Sequence, residues 1–257
     1  MILFIDYIAV ALSIIFLAYG SWSDIKTREV SNLLWQIFLP IGIALTFFRI
    51  LLNTDLMIIS LLSITIIVVI STVGFYGGMM GGADTKALIC IGIAMPIYPS
   101  FLTKFIYPIF PLSVLINSFL IASLSCIYSM LRNSHWIASK NESLFSGFHD
   151  EPLWKKLLIF ISGYKMSSSE LSEKSHFFPL EKVDAKDGSM IRKLKISARI
   201  ESEDSTLEAL LKQYPEGSNQ KYLWVSPMLP MLLFITIGYL LTLIAGDILM
   251  RFVAFIY

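Results

Sequence analysis

Long apolar runs constrain this chain more than any other feature. Six stretches, at roughly 2–22, 33–52, 55–76, 85–102, 105–131 and 224–250, carry few charges. A bilayer core is crossed by a helix of about twenty such residues. Only helices or closed barrels satisfy their backbone in lipid, so each run is expected to be a helix. The predicted class is therefore an all-α polytopic membrane protein with six transmembrane helices. Composition agrees: 56% of residues are apolar and 15% charged, against about a quarter charged in a soluble domain. The opening MILFIDYIAVALSIIFLAYG has no basic n-region and no small-residue cleavage site, and reads as a retained first span. Pro96 and Pro99 make the fourth run the shortest, and Pro40, Pro108 and Pro111 are tolerable kinks in a membrane bundle.

One stretch differs. Fourteen of the twenty Lys and Arg residues and thirteen of the nineteen acids fall between Arg132 and Lys221. That near-neutral balance offers no electrostatic case for nucleic acid. The predicted organisation is a five-helix membrane core at 1–131, a small α+β cytoplasmic domain at 132–222, and a sixth helix within 223–257. Trp154 with Lys155 and Lys156 beside an apolar run predicts a helix near 152–164 lying on the membrane surface. Strands are expected at 177–183 and 190–200 around an Asp187–Gly188 turn. The Ser205-Thr206-Leu207-Glu208 spacing is that of a capping box, predicting a short helix through Lys212.

Loop charges set the orientation. With an external N-terminus, Lys26, Arg28, Lys86 and the whole 132–222 segment fall on the cytoplasmic side, leaving Arg49, Lys104 and Arg251 outside. Asp6 and Asp247 then sit near the outer span ends, where solvation among the headgroups is expected.

Two polar clusters interrupt the hydrocarbon on the cytoplasmic face. Asp24 lies in Ser23–Asn32, between the first two spans, and Asp84 in Gly77–Lys86, between the third and fourth. Acids at a membrane are expensive and mark functional candidates, although short loops also carry Asp and Lys simply because they are solvated. The glycines tip the balance, because four in six residues cost helix propensity and suit a bent or closely approached backbone. Two carboxylates brought together share a proton, so one acts as base while the other donates. Such a pair activates water without metal or cofactor. Lys26 and Lys86, at i+2 from the acids, do not face them on a helix and read as interface anchors. Cys90 and Cys126 sit in apolar runs, and His135, His149 and His176 are scattered, so no metal site is expected.

Asp24 followed by Lys26, Arg28, Val30 and Asn32 resembles the first aspartate motif of the type IV prepilin and preflagellin peptidases. Gly81-Gly82-Ala83-Asp84 followed by Lys86 is similar to their second motif, G-x-G-D. Trp224–Pro230, opening the last run after a polar domain, resembles the archaeal branch. The resemblance implies an aspartic endopeptidase of the cytoplasmic membrane, with its active site facing the cytoplasm. Its substrates would be prepilin-type or preflagellin precursors, whose short basic leaders it removes at the membrane boundary. It also implies that Asp24 and Asp84 are the catalytic pair. Gly81, Gly82 and Ala83 would form the flexible approach, with Lys26, Arg28, Asn32 and Lys86 as supporting motif residues. Ala83 departs from the pattern, standing where a glycine is usual. Nothing matches the cysteine-rich domain of the bacterial enzymes, so N-methylation is not predicted. The acids Glu201, Glu203 and Asp204 are one way to attract a basic leader. Two other readings are a presenilin-like protease, whose Pro-Ala-Leu motif is missing, and a small transporter or pilus assembly factor. The transporter reading would place the acids at the midplane rather than at one face.

Overall fold

The computed structural model describes residues 1–102, 107–140, 144–167, 170–171, 177–186, 189–195 and 222–256. Helices α1 (Ile2–Thr27), α2 (Asn32–Leu52), α3 (Leu56–Tyr76), α4 (Gly82–Ala94) and α5 (Phe110–Lys140) come first. After α6 (Leu153–Ser162) come five strands: β1 (Tyr164–Ser167), β2 (Phe177–Pro179), β3 (Glu181–Lys186), β4 (Ser189–Leu194) and β5 (Tyr222–Pro227). Helices α7 (Met231–Ala245) and α8 (Ile248–Ile256) close the described chain. The chain divides into two units, one of residues 1–122 and 230–257, the other of 123–229, with the boundary inside α5.

Among the described residues, α1, α2, α3 and α5 are each long and apolar enough to cross a membrane. The pair α7–α8, bent by 48°, adds a fifth candidate if it is one span. The molecule is thus mostly helical, with four to five candidate spans and a small sheet region. The predicted fourth span, 85–102, is only partly helical. Its helix α4 has thirteen residues and stops at Ala94, where Pro96 and Pro99 cannot continue a hydrogen-bonded helix. The expected sixth span does not begin at Trp224, because Tyr222–Pro227 form β5 and bury Leu223, Trp224 and Val225 in protein. Helix α7 begins only after Pro230.

Packing in the first unit has the inverted character of a membrane bundle. Helix α3 buries Ser60, Ser63, Ile67, Ser71 and Gly74 while exposing Ile58, Leu62, Val69 and Val73. Small residues let backbones approach where no hydrophobic drive distinguishes lipid from protein. Helix α4 benefits most. It touches α1, α2, α3 and α7, and a Cβ on its Gly92 would stand 2.3 Å from Ile67.

Three charges near span ends are buried in protein rather than solvated. Asp6 and Arg49 are each about 1% exposed and pair at 2.6 Å. Asp247, 4% exposed, accepts from the Tyr107 hydroxyl and from the Met250 N–H at 2.8 Å. None is solvated at headgroup level. An acid within a turn of a helix end reads as exposed in sequence, but here each finds a protein donor, the alternative being an unpaired charge.

In the second unit, β5 lies between β1 and β2, both antiparallel to it. The predicted 177–183 strand is two strands, because Leu180 buries its side chain between them. Its N–H bonds the Trp224 carbonyl at 2.8 Å and its carbonyl accepts from Lys195. Strand β3 then pairs with β4, Glu181 opposite Leu194, in a separate sheet. The Asp187–Gly188 turn, residues 196–200, the 205–212 helix, the acids Glu201, Glu203 and Asp204, and Lys104 and His176 lie outside the described residues. Helix α6 occupies Leu153–Ser162. Glu151, just before it, accepts from Lys155 Nζ and from the Leu194 N–H, both at 3.0 Å.

Burial raises the Glu151 pKa, but the hydrogen bonds from Lys155 and Leu194 more than offset it and hold the carboxyl below the ordinary glutamate range. A depressed folded pKa means this stabilisation is present above the unfolded value, about 4.3, and lost as pH falls through the folded one. Amide exchange at Leu194, followed by mass spectrometry and corrected for intrinsic rate, should therefore lose protection below about pH 4.3. Glu151→Gln should flatten that dependence.

Candidate active site

The first aspartate sits in the last turn of α1, not in the loop after it. Helix α1 ends at Arg28, whose left-handed conformation (φ 59°) lets its N–H close on the Asp24 carbonyl at 3.1 Å. Non-glycine residues adopt that region rarely, and here neighbouring hydroxyls hold the turn. Ser23 Oγ and Thr27 Oγ1 both donate to the Glu29 carbonyl, at 2.7 and 3.0 Å. The half-buried Asp24 carboxylate faces the Arg28 guanidinium and the backbone N–H of Leu232, in the first turn of α7. A helix N-terminus is a favourable place for an anion.

Helix α7 is held there by hydroxyl contacts that composition cannot reveal. Ser21 Oγ donates to the Leu232 carbonyl at 3.0 Å and lies 2.6 Å from Thr236 Oγ1. Thr236 in turn donates to the Leu17 carbonyl at 3.3 Å. Sequence reasoning missed Ser21, Leu232 and Thr236, because more than two hundred residues separate the partners and no local spacing marks them.

The second aspartate is placed by glycine. Helix α3 ends at Gly77, and Gly78 follows at φ +70°. Gly74 leaves room for Met80 to fold back, since a Cβ there would stand 2.7 Å from its sulfur. Met80 is thereby buried while Met79 stays exposed. Gly81 then caps α4. Its N–H donates to Asp84 Oδ2 at 3.1 Å, and its carbonyl accepts from Thr85 Oγ1 at 2.9 Å. An acid at the third helical position bonding back to the cap is a capping-box half. A Cβ on Gly81 would meet Asp84 Oδ2 at 2.8 Å, whereas one on Gly82 would find only ordinary contact with Phe75 at 3.6 Å. Ala83, the departure from the motif, packs its methyl against the core of the first unit.

Helices α1 and α4 are in contact, and Asp24 and Asp84 lie close enough for their charges to act on each other. A direct bond also joins the two polar clusters, from Lys86 Nζ to Asn32 Oδ1 at 2.6 Å. Lys26 does not join them: it is exposed, its Nζ 5.0 Å from the centre of the Trp22 ring. Two carboxylates at a helix boundary, one beside a cation and one capped by a backbone N–H, are suited to acid–base work on a bound amide.

The profile of the type IV leader peptidase family matches residues 11–127, and that of the archaeal peptidase A24 C-terminus, type II, matches residues 155–248. The chain is 26% identical to the preflagellin peptidase of Methanococcus maripaludis (strain C6) over 258 residues, 96% of this chain and 98% of that protein. It is 27% identical to the preflagellin peptidase of Methanococcus voltae over 252 residues, 93% and 96% of the respective chains.

Proposed function

Because the chain belongs to the type IV leader peptidase family, we propose that it is an aspartic endopeptidase of the G-x-G-D class, acting on prepilin-type or preflagellin precursors. It removes their short basic leaders at the cytoplasmic boundary of the cell membrane. The reading rests on its relatives' activity and on one geometric observation, the approach of Asp24 on α1 to Asp84 on α4.

The chemistry follows from the pair. Two neighbouring carboxylates hold a proton between them, and its titration belongs to both. The ionised member takes a proton from water as the oxygen attacks the scissile carbonyl carbon. The protonated member gives its proton to the amine nitrogen as the C–N bond breaks, and transfer from the new acid restores the starting state. Arg28 and the Leu232 N–H steady negative charge at Asp24, and the Gly81 N–H does so at Asp84. Lys86 and Asn32 hold the two clusters in register across the site. The active site faces the cytoplasm in this reading, on the side where Lys26, Arg28 and Lys86 collect.

In membranes supplied with a prepilin-type precursor, Asp24→Asn and Asp84→Asn are each expected to lower the cleavage rate by about 10²–10⁴-fold, the usual contribution of an acid–base group. Full activity in either single variant would remove the dyad. The glycines separate geometry from flexibility. Gly81→Ala should displace the Asp84 carboxyl and cost about 10²-fold, the scale of a 1 Å misplacement, while Gly82→Ala should stay within roughly threefold. Equal losses from both would refute the close-approach role of Gly81.

A further inference from the structure

The buried Asp6–Arg49 pair lies at the ends of α1 and α4 opposite to the two aspartates, and its contacts reach both helices. Arg49 Nε and Nη2 donate to Asp6 Oδ1 on α1, at 3.0 and 2.6 Å. Its Nη1 donates to the carbonyl of Ala94, the last residue of α4, at 3.3 Å. Asp6 Oδ2 accepts from the Ser100 N–H at 2.7 Å, holding the chain that leaves α4. Two more side chains finish the same helix end: Thr46 Oγ1 donates to the Ile93 carbonyl and Ser63 Oγ to the Pro96 carbonyl, each at 2.5 Å.

This arrangement answers a physical need. Thirteen residues rise about 20 Å, short of a bilayer core of about 30 Å. The last carbonyls of α4 therefore end inside the unit, where Ala94 and Met95 are fully buried, and unpaired they would be costly. A cation at a helix C-terminus also matches the macrodipole.

We propose that Asp6 and Arg49 are positioning residues, a common pin from which the two aspartate-bearing helices are held. Asp24 lies eighteen residues from Asp6 on α1, about 27 Å away, and Asp84 lies ten residues from Ala94 on α4, about 15 Å away. A tilt of about 4° at the pin moves those far ends by roughly 1–2 Å, enough to separate a working dyad from an idle one. The glycine-rich approach to Asp84 offers little restraint at that end, so the pin adds to the helix packing around α4 in limiting the tilt. For its catalytic consequence the inference rests on the peptidase reading. Its structural content does not.

The test uses the full chain in lipid nanodiscs and the double variant Asp6→Asn with Arg49→Gln. Each single change strands a buried charge and risks unfolding, whereas removing both charges leaves none uncompensated. Thermal melting and size-exclusion profiles establish that the double variant is folded. Nitroxides at the exposed Ile25 and Met79 positions, in a background with Cys90 and Cys126 replaced, report the separation near the aspartates. The expected result is a broadened distance distribution, with kcat for precursor cleavage lowered at least about tenfold and KM within about twofold. A folded double variant with the wild-type distance distribution would overturn the pin. If the wild-type protein cleaves no prepilin-type precursor, the peptidase reading fails, while the distance measurement still decides the pin.

Discussion

The structure of the first unit depends on how the end of α4 is satisfied. A helix too short to cross a bilayer leaves carbonyls where water cannot reach them, and lipid supplies no donor. Thr46 and Arg49 of α2 supply two, Ser63 of α3 supplies a third to the Pro96 carbonyl just past the helix, and Asp6 of α1 balances the charge that this solution brings inside. Helix α4 can therefore stay short. Its N-terminus, with Asp84, stands at the same end of the bundle as the last turn of α1.

Small residues make the rest possible. Gly92 against Ile67, Gly42 against Ala94, and the serine face of α3 allow α4 to be surrounded by other helices. The apolar bulk that a soluble core would bury faces outward instead. A central helix packed on several sides is a firm support, and catalytic geometry tolerates little looseness. The glycines between α3 and α4 do the opposite work, letting the backbone turn and approach the Asp84 carboxyl.

The second unit stands on different physics. Its core is aromatic and aliphatic, built on Trp224, Leu180 and Ile159. Among the described residues its deeply buried acid is Glu181, which accepts from the Trp224 N–H at 2.7 Å and pairs with Arg192. Burial raises the Glu181 pKa against the pull of that arginine. Leu153, Trp154 and Leu157 leave an apolar face on α6 exposed.

Much was legible in the sequence alone. Long uncharged runs locate α1, α2, α3 and α5 because lipid permits few alternatives to a helix. The glycines around Asp84 announce a bent, closely approached backbone, because Gly78 turns through φ +70° and Gly81 leaves no room for a Cβ beside the Asp84 carboxyl. The polar composition of 132–222 marks most of the residues of the second unit, 123–229. Only the tertiary structure decided the pairings. Lys86 meets Asn32 across fifty-four positions, Ser21 meets the start of α7 across more than two hundred, and Asp6 meets Arg49 across forty-three. Local pattern carries no record of such partners, so Asp6 and Asp247 read as solvated span ends and Trp224 as the start of a span. A residue's neighbours along the chain set its preference for helix or turn. What it bonds to inside a bundle is set by which helices pack together, and that is a property of the whole fold.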